Sequence, residues 1–383
     1  MSLTKKVFII STVLLVIILF FLGIYNFAFK KSTPSSSKPI VQTVPEKSEQ
    51  EKLIQKKSKK IIPISEQAVI GKPIFDKKNE TIAYYSAKDG TVWSAQADGS
   101  KESQIADTEL AGIKNVFWAN GGEKVITEFK KGNNSSFYFY NHKEKKGFPL
   151  KDGMDTVVWD SAGTKIFYKY YDADSKKRTL NISNPDGNEW QSLTELIDRD
   201  VSIAQIPSTS LLSFWNAPKA QDKTYFKSVN MTGGEPTLIL SNRFGADYLW
   251  APNGKQALVS SLANSESKMV TLGMVTPEGN YTELNIPTIV SKCVWSFDGK
   301  TIYYALPGGI PTNSIMPDEY QEKKFTTEDT FWKLNIETGK KERIVEANDI
   351  VEKYDSSELF LSTTQSALYF VNRIDGKIYS IEL

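Results

Sequence analysis

Short runs of alternating apolar and polar residues recur along this chain, and each follows a tight polar turn. The clearest copy runs from Trp295 through Asp298-Gly299-Lys300 to Ile302-Tyr303-Tyr304. An aromatic residue ends one run, and an apolar residue seven positions later opens the next. Alternation with a period of two is typical of β-strands, so each copy predicts two antiparallel strands joined by a turn.

The copies repeat at a nearly constant spacing. Their anchors are Phe75, Trp118, Trp159, Ala204, Trp250, Trp295 and Leu361, separated by 43, 41, 45, 46, 45 and 66 residues. A second turn that contains Gly follows several anchors, so each unit predicts four strands, as in a β-propeller blade. A β-sandwich is the alternative, but it does not require one turn signature at one offset. We predict an all-β fold, a β-propeller with seven blades of four antiparallel strands.

The last unit offers only three strands before the chain ends at Leu383. The segment Ile64 to Ile70 precedes the first anchor and has no other partner in the pattern. We therefore expect it to supply the missing outer strand and to close the ring without an exposed sheet edge.

The turn from Trp295 to Tyr304 carries a family resemblance, which Trp250 to Val259 and Trp159 to Tyr168 share in part. It resembles the repeat of TolB-like and WD-repeat-like propellers: aromatic, Ser, any residue, Asp-Gly-Lys, any residue, then an aliphatic residue and aromatics. The resemblance covers residues 63–383 and implies the fold. It implies little about function, because such propellers serve as peptide-binding platforms, peptidase lids and periplasmic scaffolds.

The N-terminal region predicts a membrane anchor. After a short tail at residues 1–6, residues 7–29 form an uncharged run rich in Val, Ile, Leu and Phe. At 1.5 Å per residue a helix of this length spans roughly 34 Å, enough to cross the hydrocarbon core of a lipid bilayer. The run ends in bulky aromatic residues instead of a small-residue cleavage site, so we predict an uncleaved transmembrane helix.

Residues 30–62 have the composition of a flexible, disordered basic linker, with prolines, a run of serines and nine lysines. We expect the N-terminus in the cytoplasm and the propeller, residues 63–383, outside the cell membrane. Residues 1–62 carry a net charge of +8. Because the whole chain has a formal net charge of +2, the propeller carries −6. An acidic domain does not favour nucleic acid as a partner.

Catalytic chemistry has few candidate residues. The chain contains one cysteine, Cys293, which we expect to be a small buried side chain, and one histidine, His142, in a polar turn that we expect to be exposed. One of each cannot form a usual zinc site or a Ser-His-Asp triad, and no Gly-x-Ser-x-Gly elbow is present. Asp160 and Asp298 have the positions of turn residues, and Asp172 begins only a fragment of a calcium loop. We predict no catalytic residue, no metal and no cofactor.

The sixth unit carries an unusually long loop, residues 306–329, between its second and third strands. It contains the apolar residues Ile310, Ile315, Met316 and Tyr320, which are the candidate partner-binding residues of the chain. Two interpretations stay open. The loop either contacts an unknown protein or cell-wall partner, or it packs back over the central channel as a plug.

Two functional hypotheses follow. The first is a non-enzymatic, membrane-tethered scaffold that binds a protein or a component of the cell envelope. The alternative is a propeller that binds or hydrolyses glycans with carboxylates at the central channel. An enzyme of this kind should show facing carboxylates with raised pKa values, whereas a scaffold should show an apolar patch on one face.

Overall fold

The computed structural model describes residues 60–132 and 134–383, and its regular elements are almost all β-strands that pair in antiparallel fashion. The helical elements of these residues are short. They are two 3₁₀ helices, Val290–Lys292 and Ala347–Asp349, and one turn of α-helix, α1, Asp318–Gln321.

We call each four-stranded sheet a blade and number the blades along the chain. Blade 1 contains β2 (Val69–Asp76), β3 (Thr81–Ser86), β4 (Val92–Gln96) and β5 (Ser103–Ala106). Blade 2 contains β6 (Ile113–Trp118), β7 (Lys124–Lys131), β8 (Asn134–Asn141) and β9 (Lys146–Pro149). Blade 3 contains β10 (Met154–Trp159), β11 (Ile166–Asp172), β12 (Lys177–Ser183) and β13 (Gln191–Leu196).

Blades 4 and 5 share one long strand, β17 (Thr237–Trp250), whose first half pairs with β16 and whose second half pairs with β18. Blade 4 begins with β14 (Val201–Gln205), β15 (Leu211–Asn216) and β16 (Lys223–Asn230). Blade 5 continues with β18 (Ala257–Leu262), β19 (Thr271–Val275) and β20 (Tyr281–Ile286). Blade 6 contains β21 (Cys293–Trp295), β22 (Thr301–Gly308), β23 (Glu328–Asn335) and β24 (Lys341–Arg343).

Blade 7 joins the two ends of the domain. Its chain-terminal strands are β25 (Ser356–Leu361), β26 (Ala367–Asn372) and β27 (Ile378–Glu382), and its outer strand is β1 (Ile61–Pro63), which pairs with β27. The predicted fold of four-stranded antiparallel sheets is confirmed. Closure by an N-terminal strand is also observed, but its position needs correction: Ile61–Pro63 closes the sheet, whereas Val69 and Ile70 already belong to β2.

Contacts between neighbouring blades explain the repeated turn. In three blades the indole nitrogen of the anchor tryptophan donates a hydrogen bond to the preceding blade. The pairs are Trp159 Nε1 to Phe117 O (2.8 Å), Trp250 Nε1 to Ser213 Oγ (2.9 Å) and Trp295 Nε1 to Leu249 O (3.1 Å). The turn glycine also faces the preceding blade. Gly254 has a φ of +67°, and a Cβ there would collide with the carbonyl oxygen of Pro207.

The predicted N-terminal tail, transmembrane helix and nearly all of the linker lie outside the described residues. Within residues 60–132 and 134–383, no helix has the length and apolar character that crossing a membrane would require.

Ring closure can be tested through the two buried isoleucines of the closing segment. Ile61 and Ile64 are buried, in the cores between blades 6 and 7 and between blades 7 and 1. We expect Ile61→Ala and Ile64→Ala each to lower the free energy of unfolding by roughly 2–5 kcal/mol, because each leaves a cavity. Urea unfolding measures the change. Ile105→Ala in β5, where the side chain is 57% exposed, should change it by less than about 0.5 kcal/mol. Unfolding of both closing-segment variants at the wild-type midpoint would contradict the closure.

Candidate functional site

A groove with a volume of about 600 Å³ opens between blades 1 and 2. Val92, Ala106 and Leu110 line it on the side of blade 1, and strands β7, β8 and β9 line it on the side of blade 2. This volume lies within the range of about 300–1,000 Å³ that is usual for small-molecule sites. The groove is therefore large enough for a ligand of several rings.

The wall formed by blade 2 is aromatic because of strand register. Thr127 pairs with Tyr138 and Phe129 pairs with Ser136, and directly opposed residues in an antiparallel pair share one face. The same face carries Tyr140, which pairs with Gly147 of β9. The rings of Phe129 and Tyr138 meet edge to face with their centroids 5.4 Å apart. Phe129, Tyr138 and Tyr140 thus share one face of blade 2 along the groove.

Blade 1 leaves this wall partly uncovered. Phe137 points to the opposite face of β8, packs in the core with blade 3 and is 2% exposed, whereas Tyr138 on the groove face is 44% exposed. The outer strand β5 of blade 1 has only four residues, three of which are exposed. The face of blade 2 therefore extends beyond the cover that its neighbour provides.

His142, the only histidine of the chain, lines this groove. Its Nε2 atom lies 3.3 Å from the hydroxyl of Tyr85, and its ring stacks on Trp118 and meets the edge of Tyr140. Burial lowers the pKa of His142 below its usual value near 6.5, so the ring is neutral at pH 7. The prediction of an exposed turn residue is wrong, because blade 1 covers one side of the turn.

The anchor position of blade 2 departs from the repeat. Trp118 Nε1 is buried and has no hydrogen-bond partner among the described residues, unlike the three tryptophans that bind the preceding blade. Its ring stacks on His142 instead, with 5.4 Å between centroids. Sequence reasoning missed this groove, although four consecutive aromatic residues, 137–140, were an available signal. Apolar side chains on both faces of a strand require cover on both sides.

The long loop of blade 6 divides its four candidate residues between core and surface. Met316 and Tyr320 are each 4% exposed and pack with apolar residues of blades 4 and 5, whereas Ile310 and Ile315 are 37% and 50% exposed. Strand β22 extends to Gly308 and β23 begins at Glu328, so the loop is shorter than the sequence indicated. The backbone N–H of Ala220 in blade 4 donates to Asp318 at 2.8 Å, which also fixes the loop.

A buried ion cluster lies beneath this loop. Lys292 Nζ lies 2.6 Å from Asp329 and 2.8 Å from Asp355, and all three side chains are almost completely buried. Tyr320 donates its hydroxyl proton to Asp355 at 2.6 Å, and Arg373 contacts the other oxygen of Asp355 at 3.4 Å.

Two opposing effects set the protonation of this cluster. Burial alone would raise the pKa of Asp355, but the charge and hydrogen bond of Lys292 outweigh it and hold the pKa below its usual value. Burial would lower the pKa of Lys292, but Asp329, Tyr320 and Asp355 raise it. Asp355 is therefore ionised and shielded from solvent, which suits a structural ion pair and not a general acid.

The remaining candidates have local roles. Asp160 accepts hydrogen bonds from the backbone of Thr164 and Lys165, and Asp298 accepts one from Lys300, so both stabilise turns as predicted. Cys293 is buried, and this burial raises the pKa of its thiol.

Comparison of structures finds proteins that are similar to this chain. No protein-family model matches the chain, and a search of curated proteins finds no match. The chain resembles an oligogalacturonate lyase solved in complex with manganese (TM-score 0.62, 12% identity, covering 84% of this chain and 93% of that one). It also resembles the oligogalacturonate lyase of Vibrio parahaemolyticus (TM-score 0.59, 11% identity, 84% and 93% covered). A third neighbour is the β-propeller domain of the trilobed protease of Pyrococcus furiosus (TM-score 0.53, 9% identity, 83% and 94% covered). These likenesses confirm the propeller fold.

The same comparison corrects the functional prediction. The expectation of a non-enzymatic scaffold is contradicted, since two of these neighbours are lyases and their fold is therefore one that carries enzymes. The absence of an elbow, a zinc site and a triad from the sequence excludes only those chemistries. The residues that the structure describes contain no group of three or more His, Cys, Asp or Glu side chains that could hold a metal such as the manganese of that neighbour.

Two adjacent residues test how the long loop is held. Met316→Ala should lower the free energy of unfolding by roughly 2–5 kcal/mol, because Met316 fills a core. Its neighbour Ile315 is half exposed, so Ile315→Ala should cost less than about 0.5 kcal/mol. Urea unfolding of both variants measures the difference. Equal effects would show that the loop does not pack as described.

The ion cluster predicts that replacing Lys292 lowers the free energy of unfolding by an amount that depends on pH. Lys292→Met leaves Asp329 and Asp355 buried without their shared cation, which should cost about 3–5 kcal/mol near pH 7. The depressed pKa of Asp355 stabilises the fold above its unfolded value of about 3.9, and this contribution is lost as the pH falls through the folded value. The difference between the wild type and the variant should therefore shrink below about pH 4.

The matched control for this variant is Lys324→Met. Lys324 is exposed and pairs with Glu319 and Glu322 at the surface, so its loss should cost less than about 1 kcal/mol. Urea unfolding as a function of pH measures both variants. A difference between the wild type and Lys292→Met that stays constant down to pH 2 would count against an ionised Asp355.

Proposed function

We propose that this domain is a glycan-acting propeller that binds a saccharide in the groove between blades 1 and 2. The observation that carries the proposal is the aromatic wall of Phe129, Tyr138 and Tyr140, which blade 1 leaves partly open. Solvent-exposed aromatic rings on a regular strand face are costly unless something covers them. A bound sugar would provide that cover.

Pyranose rings suit such a wall, because one face of the ring presents C–H groups that pack on an aromatic ring. The polar edge of the sugar then needs a few hydrogen-bond partners. The groove offers the hydroxyls of Thr108, Thr127 and Ser136 beside the imidazole of His142. A mostly apolar lining with few polar groups is the usual composition of a ligand site.

The structural neighbours support a glycan as ligand, because two of them are named for action on oligogalacturonate. The location differs from the hypothesis drawn from the sequence, which relied on carboxylates at the central channel. Asp329 and Asp355 are both buried and both form salt bridges with Lys292, so neither has access to solvent. Within the groove, neutral His142 is the group able to accept a proton near pH 7.

The position of the domain in the cell remains part of the proposal. The uncharged run at residues 7–29 and the basic linker at residues 30–62 support a propeller tethered outside the membrane. A glycan of the cell envelope would be within reach of such a tether.

Substitution of one ring tests the groove. Tyr138→Ala should weaken binding of oligosaccharides at least tenfold, because the most exposed ring of the wall is lost, which corresponds to about 1.4 kcal/mol. Binding to a printed panel of oligosaccharides, followed by calorimetry of the hits, measures the effect. Phe297→Ala is the control, since Phe297 is 45% exposed and lies in a turn of blade 6. Unchanged binding by Tyr138→Ala, or binding of no saccharide by the wild type, would refute the proposal.

A further inference from the structure

Among the residues whose side chains the structure describes, the lining of the groove between blades 1 and 2 offers no charged group to an ionic ligand. None of its fifteen lining residues is Asp, Glu, Lys or Arg. Resting on the function proposed above, we propose that the groove selects uncharged saccharides and rejects uronic acid oligomers. The two neighbouring lyases are named for oligogalacturonate, so this chain would share their fold and differ in the charge of its ligand.

Desolvation is the physical basis of this selectivity. A carboxylate that leaves water for an apolar wall loses its hydration, and without a cation or several donors the loss is not recovered. The ionisable groups that line the groove do not supply a cation. The imidazole of His142 is neutral at pH 7, and the phenol of Tyr85 stays protonated because burial raises its pKa. Hydroxyl groups of a neutral sugar, by contrast, need only the hydroxyls already present.

Three lysines with described, exposed side chains near the groove do not change this conclusion. Lys143, Lys145 and Lys146 lie in or beside the connection between β8 and β9, and all three are exposed to solvent. Lys143 also faces Glu123 at 3.9 Å. Their charges are surrounded by water and by ions at physiological salt, where the screening length is about 8 Å. They can attract an anion to the surface but do not pair with a carboxylate inside the groove.

Three matched ligand pairs test the inference on the full-length protein at 150 mM salt and pH 7. The pairs are linear hexamers of glucose, mannose and galactose, each with its counterpart oxidised to the uronic acid at C6. We expect at least one neutral hexamer to bind, and to bind at least tenfold more tightly than its acid in calorimetry. An acid that binds as tightly as its neutral partner, or more tightly, overturns this inference and leaves the proposed function standing. Binding of no member of any pair overturns both.

A charge placed in the groove provides the reciprocal test. Ser136→Lys puts an ammonium group on the aromatic wall, and Thr108→Lys puts one at the opposite side, so either variant should shift the acid-to-neutral affinity ratio at least tenfold toward the acid. Ser192→Lys adds the same charge on exposed β13 of blade 3 and should leave the ratio unchanged. Circular dichroism confirms that each variant is folded. A ratio that both groove lysines leave at the wild-type value overturns the inference.

Discussion

The structure depends on one requirement: every blade has two apolar faces, and each face needs a neighbouring blade to cover it. A four-stranded sheet cannot bury both of its faces alone, so each unit is stable only within the array. The pairing of β1 with β27 allows blades 7 and 1 to cover each other through Ile64, Tyr84, Tyr369 and Ile378. The closing segment therefore supplies Ile61 and Ile64 to the hydrophobic cores and pairs with the outer edge of β27.

The same requirement explains where a ligand site arises. In blades 3, 5 and 6 the anchor tryptophan bonds to the preceding sheet. Between blades 1 and 2 the ring of Trp118 stacks on His142, and β5 ends before it covers Tyr138. An interface that leaves aromatic rings open in an array built to cover its faces has the composition of a binding site.

The fold could be predicted from the sequence because its determinants are local and repeated. The anchor tryptophans of blades 3, 5 and 6 each bond to the preceding blade, so one well-preserved copy identifies the others. The closing strand was misplaced because Ile61, Ile62, Ile64 and Ile70 are all apolar, and only pairing with β27 distinguishes them. The aromatic run 137–140 signals a strand that needs cover on both faces, but the size of the groove depends on how far β5 covers the next blade. The loop residues 310, 315, 316 and 320 look alike in sequence and separate only through packing against distant blades.

Two groups of polar side chains show why burial alone does not indicate function. Lys292, Asp329 and Asp355 are almost completely buried, yet each has partners within hydrogen-bond distance, and the cluster joins blade 6, blade 7 and the long loop. A buried network whose members are all hydrogen-bonded stabilises one arrangement of these side chains. It leaves no free hydrogen-bonding group for a substrate. The groove presents the opposite case, with modest burial, neutral groups and rings that still face water. A ligand gains free energy where the protein alone has left a contact unmade, and in the described residues that condition is met along the wall of Tyr138 and not at the buried carboxylates.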